Sequence, residues 1–204
     1  MKIGVQETFE RLNNLAWEYR LGISTRGKGS VETSDEEHIY YGSVSYPTIT
    51  SVLDRLNLAP HDVFVDLGCG KGRVVCCAAQ RNVKEVIGIE YSKDLSDIAE
   101  KNSSKLRKRK APINIVHSPV EDFDYAKGTV FYMFHPFGPA TLQKVVSKLA
   151  AIHDRERRTL KMAYVWPMHE SVLKQQRWLE ELDRWEAHHP RSRGHHISFW
   201  KTRE

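Results

Sequence analysis

The stretch from Val63 to Glu90, VFVDLGCGKGRVVCCAAQRNVKEVIGIE, restricts the fold more than any other part of the chain. Val63 to Leu67 is a short apolar run broken by one carboxylate, Asp66, and Gly68, Gly70 and Gly72 follow at once. A buried strand that runs into a tight turn satisfies both features. Beyond the turn, Val74, Val75, Ala78 and Ala79 recur at helical spacing, and Val86 to Ile89 is a second apolar run that stops at Glu90. The spacing predicts a βαβ unit with an acidic residue closing each strand.

Glycines let a backbone pass close to a ligand, and a helix N-terminus offers unpaired N–H groups and partial positive charge. Glu90 lies 22 residues after Gly68. At the tip of the neighbouring strand its carboxylate can accept hydrogen bonds from the two hydroxyls of a ribose. A nucleoside ligand follows. A dinucleotide site wants G-x-G-x-x-G, and here the third glycine comes one residue early, which disfavours a nicotinamide dehydrogenase.

The pattern D-x-G-x-G-x-G, formed by Asp66, Gly68, Gly70 and Gly72, resembles the first motif of class I S-adenosylmethionine-dependent methyltransferases. The resemblance implies S-adenosyl-L-methionine as cofactor. It gives Asp66 the task of ordering the loop and receiving the ammonium group, turns the backbone of Gly68, Cys69 and Gly70 towards the amino acid part, and assigns the ribose to Glu90. Tyr91 would lie along the adenosine. The implied fold class is α/β, a doubly wound, mostly parallel seven-stranded sheet with a reversed last strand.

At 204 residues, with 40% hydrophobic and 28% charged residues, the chain has the size and composition of one ordinary globular domain. Residues 1–45 read as an N-terminal helix and cap or loop segment, and residues 46–204 as the cofactor-binding domain of one compact unit. No apolar run approaches membrane-spanning length, and no apolar signal region opens the chain, so no membrane partner is expected. Cys69, Cys76 and Cys77 are too few and too closely placed for a disulfide framework, which points to a cytoplasmic protein. The formal charge of +5 draws much of its excess from Lys105, Arg107, Lys108, Arg109 and Lys110. A basic helix end is favoured by the helix dipole and usually only faces solvent, and no aromatic residue is interleaved there to stack a base.

Residues 7–20 read as an amphipathic helix with Phe9, Leu12, Ala16 and Tyr19 on one face, packing as a cap on the core. Residues 22–38 show no sustained period and read as a loop. Pro47 suits the first turn of a helix buried through Ile49, Val52, Leu53 and Leu56. By resemblance to the family, Tyr46 and Thr48 are candidates for contacting the methionine end of the cofactor; tyrosines that anchor a loop are the plainer reading of Tyr40, Tyr41 and Tyr46. After the third strand, at 113–116, the family's usual G-D-A is replaced by Ser118, Pro119 and Val120. The adenine contact then falls to the Val120 N–H and to Glu121 or Asp122.

The fourth strand, 129–134, ends in FHPFGP. The carboxyl end of such a strand, beside the switch point of an open α/β sheet, is where ligands bind. His135, Pro136 and Phe137 resemble the Asn or Asp, Pro, aromatic signature of amino-group methyltransferases, with His replacing the amide or acid. Alignment of nucleophile and methyl carbon alone supplies on the order of 7–11 kcal/mol. His135 is therefore the catalytic candidate, either accepting a proton or holding a lone pair in line, with Phe137 against the cationic centre; a histidine that only caps the loop is the plainer reading. Leu160 to Trp166 reads as the fifth strand, residues near Val172 and Trp178 as a helix, and Trp185–His188 with His196–Trp200 as a terminal hairpin. His188, His189, His195 and His196 suggest a metal at first sight, but adjacent strand residues point to opposite faces, so no metal is assigned.

Within the superfamily, DLGCGKGRVV and IGIEYS look closest to little-characterised bacterial methyltransferases bearing DLGSGKGR and NPF motifs, and more distantly to seven-strand lysine methyltransferases, including the non-SET histone-lysine type. The likeness implies methyl transfer to a nitrogen or oxygen nucleophile of a protein or small molecule. An RNA methyltransferase of the same fold and a non-catalytic cofactor-binding scaffold are the alternatives.

Overall fold

A computed structural model of the chain describes residues 2–27 and 44–203, with side chains from residue 11 onwards. Tyr40, Tyr41 and most of the loop expected at 22–38 lie outside the described residues.

The strands are β1 (Val63–Leu67), β2 (Glu85–Glu90), β3 (Ile113–His117), β4 (Val130–Phe134), β5 (Lys161–Val165), β6 (Leu179–Trp185) and β7 (Ile197–Thr202). They form one seven-stranded sheet in the order β3-β2-β1-β4-β5-β7-β6. β1 to β5 run parallel, and β7 enters antiparallel between β5 and β6. The mostly parallel sheet with a reversed last strand is therefore present as expected. β1 lies inside the sheet between β2 and β4, and all five of its residues are buried because helices cover both faces.

Side chains alternate between those faces. Phe64 packs with Ile49, Val52 and Leu53 of α2 (Tyr46–Leu56) and Val75 of α3 (Arg73–Ala78). Val63, Val65 and Leu67 pack with Leu142, Val145, Val146 and Leu149, from the helix Pro139–Glu156. Each such fully buried aliphatic side chain contributes about 1.5–3 kcal/mol. The helix Lys93–Lys105 follows β2. Its basic end leads into the start of β3, so the run Lys105–Lys110 lies at the amino edge of the parallel strands, opposite the edge where β1 and β2 present their acids. Arg107 is drawn into the fold there, its Nη1 donating to the Tyr19 carbonyl at 3.1 Å.

Two sequence expectations are corrected. Helix α1 spans Lys2–Leu21, but Leu12, Ala16 and Tyr19 are exposed; the buried side carries Glu18 and Leu21, with Trp17 stacked on Tyr46 at 5.6 Å and 6°. Around Val172 the helix covers only Ser171–Lys174, and Leu179 already begins β6, whose LEELDRW sequence is too charged to announce a strand. At the sheet edge such charges are tolerated because one face meets water. No helix among the described residues is long and apolar enough to cross a membrane.

Candidate cofactor and acceptor site

The turn after β1 is built by three glycines in the left-handed region, with φ of +79° at Gly68, +54° at Gly70 and +79° at Gly72. The N–H groups of Gly68 and Cys69 both donate to the Ile89 carbonyl at 2.9 Å, which ties the turn to β2. A Cβ on Gly68 would stand 2.6 Å from the Pro136 Cβ, so the loop after β4 closes directly on this turn. Gly88 serves β2 similarly, since a Cβ there would stand 2.8 Å from the Cys69 sulfur. Cys69 thus points into the sheet, and only its backbone faces the turn's outer side.

The two acids sit as the βαβ reading required. Asp66 is 2% exposed, and no described donor reaches its carboxylate. Burial, and next the charge of Glu90, push its carboxyl well above the ordinary range. Beneath it the hydroxyl of Tyr132, the register partner of Asp66 on β4, is buried without a hydrogen bond. Glu90 is also raised, first by burial, while the N–H groups of Ser92 and Gly70 oppose the shift. Its Oε1 accepts from Ser92 N and its Oε2 from Gly70 N, both at 2.8 Å. With about four lone-pair sites on its two oxygens, the carboxylate retains capacity for a further donor. Tyr91, next in the chain, is exposed, and its carbonyl lies 3.0 Å from His117 Nε2.

Sequence reasoning missed what Lys71 and Arg73 do. Both side chains are buried and turn away from the sheet edge to hold the segment after α1. Lys71 Nζ donates to the carbonyls of Arg26 at 2.7 Å and Gly27 at 2.8 Å. Arg73 donates to Thr25 Oγ1 at 2.8 Å and to the Val44 carbonyl at 3.0 Å, and lies 3.7 Å from Glu18. Glu18 in turn accepts from Thr25 N and Oγ1. Asn102 completes the clamp, exchanging bonds with the Ser24 backbone and donating to the Lys71 carbonyl. The only sequence signal was the unusual density of long cations inside the glycine motif.

Tyr46 and Thr48 depart from their expected role. Both are 0% exposed, with Tyr46 packed between Trp17 and the Arg73 guanidinium and Thr48 bonded to the capping Ser45. They anchor α2 and offer no surface to a ligand in this arrangement. After β3, Val120 opens a single 3-10 turn, and its N–H finds no acceptor among the described residues. The Glu121 carboxylate turns instead to Lys144 at 3.7 Å, while Asp122 is exposed.

Just past the last register pair of β4 and β5, Phe134 and Val165, stand His135 and Trp166, both non-glycine residues with positive φ, at +37° and +52°. Left-handed backbone at such residues costs about 1–2 kcal/mol each and gathers at functional sites. Their rings lie 5.7 Å apart, His169 is 5.1 Å from His135, and Phe134 touches Trp166 and His195. Trp166 is 48% exposed. Burial and then His169 lower the pKa of His135, favouring the neutral ring. Phe137 does not join this cluster; it is buried in the core beneath the long helix. Three of the four histidines near the last hairpin are engaged separately, His189 on Trp185, His195 on Phe134 and His196 with Glu186, and no described group of three or more ligand side chains gathers for a metal.

The fold has counterparts among solved structures. An RNA methyltransferase from Salinibacter ruber, solved with S-adenosyl-L-homocysteine, matches with a TM-score of 0.59 over 80% of this chain and 95% of that one, at 20% identity. The fold is that of the class I methyltransferases. Within this class I fold, residues 32–128 match the family model for histone methylation protein DOT1. A histone-lysine N-methyltransferase of Caenorhabditis elegans, specific for H3 lysine-79, is 44% identical over 61 residues, 29% of this chain and 6% of that protein. A protein-lysine N-methyltransferase of Saccharolobus islandicus is 30% identical over 103 residues, 48% of this chain and 60% of that protein. The matched region thus spans less than two thirds of either relative.

Proposed function

We propose that this protein is an S-adenosylmethionine-dependent methyltransferase acting on a nitrogen or oxygen nucleophile of a protein or small molecule, with protein lysine the first acceptor to test. The observation that carries the reading is the junction of β1 and β2, where Glu90 accepts from Gly70 N at 2.8 Å and a second acid, Asp66, lies buried in the neighbouring strand without a donor among the described residues. The DOT1 match over residues 32–128 and the two lysine-methylating relatives support the acceptor class.

The residues present fit this cofactor. Asp66 is a buried carboxylate that lacks a positive partner among the described residues, which an ammonium group would supply. The Val120 N–H lacks an acceptor among the described residues, which an adenine ring nitrogen would supply. Glu90 would take ribose hydroxyls on its remaining lone pairs, Tyr91 would flank the adenosine, and Gly68, Cys69, Gly70 and Gly72 would line the amino acid end through backbone alone. The cofactor, when bound, supplies an electrophilic methyl group on a sulfonium. His135 and Trp166 would then hold the acceptor in line at the neighbouring strand ends, where orientation does most of the work.

Radiolabelled methyl transfer into a fractionated lysate tests the reading. Label should enter a protein or small-molecule fraction with wild type, vanish with Asp66→Ala and fall with His135→Ala while cofactor binding survives. Unlabelled fractions throughout, with cofactor binding intact, would overturn the enzymatic reading and leave a binding scaffold.

A further inference from the structure

Tyr164 lies on β5, 1% exposed, with its hydroxyl 3.4 Å from His135 Nδ1. The same oxygen accepts the backbone N–H of His169, also at 3.4 Å. A phenol has one proton to donate and lone pairs to accept with. His169 occupies the accepting side, so the hydroxyl proton needs an acceptor, and among the described residues His135 Nδ1 is the one within reach. The opposite arrangement, Nδ1–H donating to Tyr164, would leave a buried hydroxyl proton unsatisfied, the costlier of the two.

We infer that Tyr164 fixes His135 as the neutral tautomer carrying its proton on Nε2, so that His135 donates a hydrogen bond to the methyl acceptor and does not take its proton. This rests on the methyltransferase reading of the site and specifies it. Tyr164 is a positioning residue: it acts through His135. The groups facing the imidazole agree with a neutral ring, since Trp166 and His169 pack against it and no carboxylate among the described residues pairs with it.

The consequence concerns the acceptor. With Nδ1 engaged and Nε2 protonated, neither ring nitrogen has a lone pair to spare. The nucleophile must arrive deprotonated; its lone pair forms the new bond to carbon, the carbon–sulfur pair stays on sulfur, and any surplus proton leaves to water. The reacting nitrogen of a lysine spends its one lone pair on the methyl carbon, so on a protein acceptor the Nε2–H of His135 donates to a neighbouring oxygen of the polypeptide, such as a backbone carbonyl.

Nitrogen-15 NMR of histidine-labelled full-length protein reads the tautomer directly, with His135→Gln identifying the signals. The expected pattern is a protonated-type shift at Nε2 and an unprotonated-type shift at Nδ1, moving towards a tautomer mixture in Tyr164→Phe. In a methyl-transfer assay, Tyr164→Phe should lower kcat about tenfold without changing the KM for cofactor, and His135→Gln, which keeps a donor, should outperform His135→Ala. A wild-type signal with the proton on Nδ1, or an unchanged pattern in Tyr164→Phe with unchanged thermal stability, would overturn the inference. The NMR result stands whatever the assay shows, so failure of the methyltransferase reading is separately visible as the expected tautomer without any transfer.

Discussion

Glu90 Oε2 accepts the backbone N–H of Gly70 at 2.8 Å, so the acid at the tip of one strand holds the glycine turn that leaves its neighbour. The other oxygen does the same for Ser92, where the next helix begins. One carboxylate thereby sets the geometry on both sides of the crevice before any ligand arrives.

Glu90→Ala should therefore cost more than ligand contacts. Two backbone donors lose their acceptor, a destabilisation of about 1–3 kcal/mol each where they stay buried. Urea unfolding would measure it, and titration calorimetry with S-adenosyl-L-homocysteine should show binding lost.

Asp66→Asn should stabilise the ligand-free protein and weaken ligand binding. The folded chain holds the Asp66 proton more tightly than the unfolded one, because burial and Glu90 both raise it. A raised acid contributes most below the ordinary carboxylate range, and stability is lost as pH climbs from there through the folded-state value. The substitution removes that loss. At pH 8 the thermal midpoint should rise by about 2–4 °C, the equivalent of about 1 kcal/mol, while affinity for S-adenosyl-L-homocysteine falls at least about tenfold. A midpoint independent of this substitution would show that the carboxylate carries no burial penalty.

Much of this architecture is readable in the amino-acid order, and the exceptions share a cause. β1 and β2 announce themselves because apolar runs closing on an acid have few other uses. α1 misleads, because its buried side carries Glu18, and a buried carboxylate makes sense only once Arg73 and Thr25 are brought to it from elsewhere in the chain. β6 hides because an edge strand can be as charged as a loop. Tyr46 was open to two readings, and only the stacked Trp17 and the nearby Arg73 separate them. The pairing of His135 with Tyr164 spans two strands and leaves no local pattern at all.

Gly68→Ala should damage two neighbours at once. The φ of +79° costs a non-glycine residue about 1–2 kcal/mol, and the added methyl would displace Pro136 and with it His135. Thermal melting should show the first effect, and a fall in kcat larger than the change in cofactor affinity the second.

Glu18→Ala tests the clamp on the segment after α1. Glu18 and Arg73 are buried side chains, and removing one member of such a pair costs about 3–5 kcal/mol. Combining it with Arg73→Met should destabilise by less than the two single changes together, because the second removes the charge the first left unpaired. Urea unfolding of all four proteins completes the cycle.

The central claim is that one sulfonium nucleoside lies across the glycine turn between Asp66 and Glu90. A crystal structure grown with S-adenosyl-L-homocysteine tests it most directly. The ribose hydroxyls should meet the Glu90 carboxylate and the amino group should lie by Asp66; a nucleoside bound anywhere else on the sheet, or no binding at millimolar ligand, would contradict the account.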